Sequence, residues 1–196
     1  MYQWASDLFP INRSITGQGV RDTLNYIKNI LPDLKINKIQ TGTQIFDWEI
    51  PNEWNVSEAY IEDENKVKII DFTNNNLHLV GYSSPIDTWL DLDELQDHLY
   101  SNEKQPEIIP YITSYYKERW GFCLSHNQRK NLKKGIYHAV IKSELKPGVL
   151  NYGELLIKGK SSKEILLSTY ICHPSMANNE ISGPVVTTQL ASYIKN

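Results

Sequence analysis

Ile165-Leu166-Leu167-Ser168-Thr169-Tyr170-Ile171-Cys172-His173-Pro174-Ser175-Met176-Ala177-Asn178-Asn179-Glu180-Ile181-Ser182-Gly183 is the stretch that decides the fold. From Ile165 to Cys172 it is largely apolar, the pattern of a strand buried on both faces of a sheet. A polar loop follows, and Ser182 then stands as an N-cap, with Pro184 tolerated in a first helical turn. Val186, Leu190 and Ile194 run down one face of that helix. In open α/β sheets ligands gather at the carboxyl ends of strands, and His173 stands at such an end. A histidine leaving a buried strand, with amides and a carboxylate within seven residues, brings nitrogen and oxygen donors together. Zinc accepts both. The plainer alternative is a histidine that only caps the strand.

Working outward, Gly153–Ile157 reads as a neighbouring strand, closed by a polar turn around Gly159. Near the other end of the chain, Val20, Leu24, Ile27 and Leu31 mark one face of a helix that Pro32 ends, and Leu34–Gln40 reads as a short strand. Between these parts the pattern changes. Gln44–Ile50, Ser57–Ile61, Val67–Phe72, Leu77–Tyr82 and Ile136–Ile141 are short β-like runs separated by turn chemistry such as Pro51-Asn52 and Asn74-Asn75-Asn76. The alternation from Val67 to Phe72 slips phase midway, as at a bulge. One helix, near Asp91–Tyr100, interrupts them. The expected organisation is an α/β domain from residues 1–43 and 148–196, interrupted by an inserted, mostly antiparallel β domain at 44–147.

Composition excludes several classes. A net charge of −3 and a pI near 6.0 leave no electrostatic footprint for nucleic acid or an anionic membrane. The basic cluster Arg129, Lys130, Lys133 and Lys134 reads as a solvated face. No apolar run approaches the ~20 residues that span a bilayer. The first ten residues carry no basic leader with an apolar core. Two cysteines make no disulfide framework, which points to a reducing, cytoplasmic setting. Twelve tyrosines and five tryptophans suit a β-rich block and also a polar ligand surface such as a sugar cleft.

Other constellations are weaker. Cys123-x-x-His126 is half of a zinc site at best, with His138 and Cys172 as the remaining partners. Cys172 beside His173 suggests a thiol nucleophile, but neighbours on a pleated strand point to opposite faces, which argues against pairing. Gly17-Gln18-Gly19 lacks the strand and loop context of a dinucleotide site and reads as a tight helix entry.

The layout Gly153–Ile157, Glu164–Thr169, His173 and Asn179-Glu180-Ile181-Ser182-Gly183 resembles the core of the M28-type zinc aminopeptidases. Arg13-Ser14-Ile15-Thr16-Gly17, Ser114-Tyr115-Tyr116 with Arg119-Trp120-Gly121-Phe122-Cys123-Leu124-Ser125-His126, and Cys172-His173-Pro174-Ser175 resemble more closely a bacterial aminopeptidase-like family carrying the domains of unknown function DUF4910 and DUF2172. The resemblance covers essentially the whole chain. It implies a three-layer aminopeptidase-like α/β domain, incomplete within these residues, with the β-rich insertion.

The resemblance also implies a zinc-dependent hydrolase, with one or two ions, acting on a small peptide or amide. The alternative is a non-catalytic binding protein of the same fold linked to polysaccharide or glycan biosynthesis. His173 falls at the first zinc-ligand histidine and Asn179 at the metal-bridging aspartate. Glu180 falls one position on and is able to supply the missing charge, and Ser175 stands where an aspartate would orient the histidine. Tyr116, Arg119, Trp120 and His126 are the expected substrate-binding group, an arginine beside aromatics suiting a carboxylate or a sugar. No catalytic base is assigned within the chain. The sheet so outlined is expected to need a further C-terminal portion or a partner copy, and the 196 residues alone are expected to be inactive.

Overall fold

The computed structural model describes residues 1–195. The chain divides into two compact units, Met1–Glu53 with Pro147–Asn196, and Trp54–Lys146. It is a mixed α/β chain whose sheets are mostly antiparallel.

In the first unit, helix α1 (Tyr2–Leu8) is followed by α2 (Gln18–Ile30), which buries Val20, Thr23, Leu24 and Ile27 on one face. Strand β1 (Lys35–Gln40) pairs antiparallel with a strand of the closing segment, Val149–Glu154, from Lys35 opposite Glu154 to Gln40 opposite Val149. A minimal hairpin, β2 (Gln44–Ile45) with β3 (Trp48–Glu49), belongs to this unit, although its residues read from sequence as the start of the insertion. Val20, Leu24, Ile27, Leu31 and Leu34 pack with Ala191 from the last helix. A second cluster joins Leu8, Ile181 and Val185.

The second unit is built on a four-stranded antiparallel sheet. Its strands are β4 (Glu53–Asp63), β5 (Lys68–Asp71), β6 (Ile86–Asp91) and β9 (Ile136–Lys146), in the order β5-β4-β9-β6. Ile61 faces Ile70 while Glu62 faces Lys68, so Ile69 is the extra residue of a bulge, where the alternation slips phase. Asp91 caps the short α3 (Leu92–Gln96) by accepting from the Glu94 N–H. β7 (Leu99–Tyr100) and β8 (Phe122–Cys123) form a short parallel pair. α4 (His126–Lys130) opens with a capping box between Ser125 and Gln128. Phe122, Cys123, Leu124 and Ala139 are wholly buried.

Three expectations are corrected. Leu77–Tyr82 is not a strand: it opens with a single 3-10 turn at Asn76–His78, capped by the Asn75 side chain. Ile165–Cys172 is not a buried strand either. Residues 155–172 form no ladder, and Ile165 and Leu166 are 91% and 89% exposed. A buried strand needs hydrogen-bonding neighbours and apolar cover. No described strand pairs with this run, and only Leu155, Ile157 and Ile171 pack against the core. Finally, α5 (Ser182–Lys195) turns Pro184, Val185, Thr188 and Ala191 inward, leaving Val186, Leu190 and Ile194 outward. β10 (Val149–Glu154) is the strand upstream of this run, ending before Leu155.

Candidate metal and catalytic site

The segment that ends at His173 is held in place by its own bends. Ser175 and Met176 adopt left-handed backbone conformations, φ +50° and +58°, uncommon for residues with a side chain and a form of local strain. They lead into a π-helical turn, Ala177–Ile181, that runs directly into α5. Gly183 suits this position, because a Cβ there would press on the Thr169 hydroxyl, which would have to shift. This geometry folds Glu180 back beneath His173.

Glu180 is completely buried. Its Oε1 accepts the His173 backbone N–H at 3.0 Å, and its Oε2 lies 3.0 Å from His173 Nδ1. Arg13, also buried, approaches Glu180 Oε1 at 3.7 Å and donates through Nε to the His173 carbonyl and through Nη1 to that of Leu8. Its Nη2 is a buried donor without a partner. Burial pulls the Arg13 guanidinium down to about 10, opposed by Glu180 and Cys172, so it stays charged at neutral pH. Breaking such a pair leaves an uncompensated charge in the interior.

Cys172 Sγ lies 3.4 Å from His173 Nδ1 and 4.0 Å from Nε2. This corrects the argument that neighbouring side chains must diverge: it holds for a pleated strand, and this segment is not one. The thiol is nevertheless not activated. Burial first, then the Glu180 charge, push it up to about 12, against the pull of Arg13.

Cys172, His173 and Glu180 place their donor atoms within 4.8 Å of one another, the one His/Cys/Asp/Glu group of metal-binding size among the described residues. Sulfur, nitrogen and carboxylate donors are a zinc set, and the charge of Arg13 is already balanced by Glu180. Such a group could hold a metal ion. Asn179 is exposed on the π-helical turn, and Ser175 is buried at the bend.

The other expected residues lie in the second unit. Arg119 donates from Nε to Ser114 Oγ and from Nη2 to the Thr113 carbonyl, and its guanidinium lies 5.3 Å from the Tyr100 ring. Trp120 stacks on His98 at 3.6 Å. His126 Nδ1 meets Ser101 Oγ at 3.1 Å. Tyr116 is 86% exposed. Cys123 and His126 do not join in a metal-sized group: the Cys123 thiol is buried and pushed up to about 12, while its carbonyl accepts from His78 Nδ1.

Sequence reasoning gave Arg13 no role, although it opens one of the family-like motifs. No local pattern around Arg13 marks it as buried, since its partners lie far along the chain.

The chain matches DUF4910, a domain of unknown function, over residues 2–196, and it belongs to that family. A Clostridium acetobutylicum protein described as "Putative polysaccharide biosynthesis protein with aminopeptidase-like domain" is 46% identical over 191 residues, 97% of this chain and 44% of its own length. A crystal structure described as a "putative peptidase" from the same organism is 46% identical and superposes with a TM-score of 0.96. That match covers 98% of this chain and 46% of the other. The family is aminopeptidase-like, and the chain spans about half the length of the relatives it matches. No helix among the described residues is long and apolar enough to cross a membrane.

Proposed function

We propose that the chain carries one side of the active site of a zinc-dependent, aminopeptidase-like hydrolase. In this reading the first unit contributes part of a three-layer α/β domain of M28 type. The observation that carries it is the convergence of Cys172, His173 and Glu180 above a buried arginine, in a chain whose relatives are described as peptidase-like. His173 is a ligand, and Glu180 and Asn179 are the further donors the family pattern points to, for one ion or two. The substrate class is a small peptide, or an amide on a glycan-related molecule.

A bound zinc ion supplies a water with a pKa of ~7 and polarises a carbonyl. The chain's own residues do the positioning. Glu180 Oε1 holds the His173 peptide N–H and Arg13 steadies Glu180, while Oε2 is the oxygen beside the imidazole. The reading assigns no general base to these residues, so the isolated chain is inactive. In the second unit, Tyr116 is the exposed member of the expected substrate group, and Arg119, Trp120 and His126 are half-buried.

A second reading rests on the same contacts. Glu180 and Arg13 already satisfy much of His173, as they do in a protein that keeps the fold and binds a glycan precursor without catalysis. Metal analysis separates the two. Stoichiometric zinc in the purified protein, lost in His173→Ala, supports the hydrolase. A metal-free protein that binds glycan precursors overturns it in favour of the second.

A further inference from the structure

We propose that the bare apolar run at 163–170, with the outward face of α5 beside it, is the docking surface for a strand-bearing polypeptide. The occupant is of the kind that makes up the rest of the longer relatives. The proposal is independent of the metal-site reading. Upstream, the segment already has one covered side: Leu155 and Ile157 pack against the cluster built on α2 and α5, while Leu156 between them is 77% exposed. Ile171 rejoins that cluster at the far end. Between these anchors Ile165 and Leu166 both stand in water. Consecutive side chains of a strand point to opposite faces, so a strand formed here needs cover on two sides. Thr169 meets α5 at Gly183, and from there the helix turns Val186, Leu190, Tyr193 and Ile194 to solvent.

Folded chains rarely leave apolar surface concentrated like this in water unless it is a contact surface. Residues 155–172 also form no ladder with any described strand, and a free edge of that kind is what strand addition satisfies. The occupant follows from lengths. The Clostridium acetobutylicum relative keeps more than half of its length outside the match, since this chain covers 44% of it. The putative peptidase superposes on 98% of this chain, which takes in most of the bare run, and more than half of that chain also lies outside the match. Such added length is enough for neighbouring strands and for helices to cover them. A second copy of this chain is not. It brings the same bare run, so two copies make a two-stranded ribbon whose faces at Ile165 and Leu166 stay in water, and such a ribbon is at best marginally stable.

The test co-expresses the tagged 196-residue chain with the part of the Clostridium acetobutylicum relative that lies outside the match. The expected result is an equimolar complex in which amide exchange along 163–170 slows at least ~10-fold from its rate in the chain alone. Leu166→Asp buries an unpaired charge at the contact and lowers the yield of complex at least ~10-fold. Leu166 is in water in the chain alone, so its unfolding transition stays in place and the loss reports the surface rather than the fold. Val67→Ser, which trims an exposed apolar side chain of the second unit, leaves the yield unchanged. One measurement needs no assembly of parts: in the intact relative, the stretch aligned with 163–170 exchanges slowly. Failure to copurify, a complex in which 163–170 still exchanges freely or that survives Leu166→Asp, or free exchange of that stretch in the intact relative overturns the proposal. A homodimer of the chain alone with slow exchange at 163–170 overturns it in favour of a second copy. None of these outcomes bears on zinc content, so the metal-site reading stands or falls separately.

Discussion

Ile141 and Ile165 are the same side chain in two apolar runs, and one is 1% exposed while the other is 91% exposed. Ile141 sits in β9, paired with β4 and β6 on either side, with Ile86 directly opposite it. Ile165 sits in a run with no described strand beside it. The two runs are alike in local apolarity. What separates them is the supply of neighbours, which satisfy backbone groups and cover side chains together. The same run contrasts with its own end: bare at Leu166, it is locked at His173 by Glu180 and Arg13.

The largest expected effect tests that lock. Glu180→Gln leaves Arg13 buried without its counter-charge and costs about 3–5 kcal/mol of stability, read from urea unfolding of the first unit. A loss below about 1 kcal/mol would show the pair to be more solvated than its burial implies. Next, Ile141→Ala removes buried methyl groups from the paired sheet and costs about 2–5 kcal/mol. Ile165→Ala, in contrast, stays within about 0.5 kcal/mol. Equal costs for the two isoleucines would break the comparison.

A smaller effect is electrostatic. On the paired sheet, His138 lies between Glu62 and Asp87, at 3.0 Å and 2.8 Å, and stacks on Trp89. Burial lowers its pKa, but the hydrogen bonds to Asp87 and Glu62 outweigh that and hold it above the ordinary value of 6.5. A folded value above the unfolded one means that the contribution is complete below about pH 6.5 and is lost as pH rises through the folded value. The melting temperature of the second unit is therefore expected to fall across that window. His138→Gln flattens the trend, and an unchanged slope in the variant would remove His138 as its source.

The smallest change in stability comes with a distinct signature. Leu166→Ser leaves unfolding almost unchanged but lowers binding of a hydrophobic dye, because it removes apolar surface that is already in water. Amide exchange sharpens the same contrast: rapid along 163–170, slow along the centre of β9. Protection in 163–170 of the isolated chain would mean that the run finds a partner there.

Much of the local structure was legible because its causes lie within a few residues. The spacing of Val20, Leu24 and Ile27 announced α2, and the phase slip after Val67 announced the bulge. The neighbourhood of His173 and Glu180 was legible as a donor cluster. Their contact through Nδ1 was not, because it depends on the left-handed bend at Ser175 and Met176, for which neither residue carries a sequence signal. Arg13 was beyond reach for a different reason: it bonds to the His173 carbonyl 160 residues away. The orientation of α5 went wrong because apolar residues occupy two of its faces, and periodicity alone does not choose between them.

By itself, the sequence determined the helix periods, the turn positions and the residue types able to hold a metal, since these depend on nearest neighbours along the chain. Only the tertiary structure decided that Cys172 turns toward His173, that Glu180 and Arg13 meet beneath them, and that the apolar run before them stays exposed. Pairing a strand and burying a charge both require partners brought from far along the chain, and no local pattern records whether they arrive.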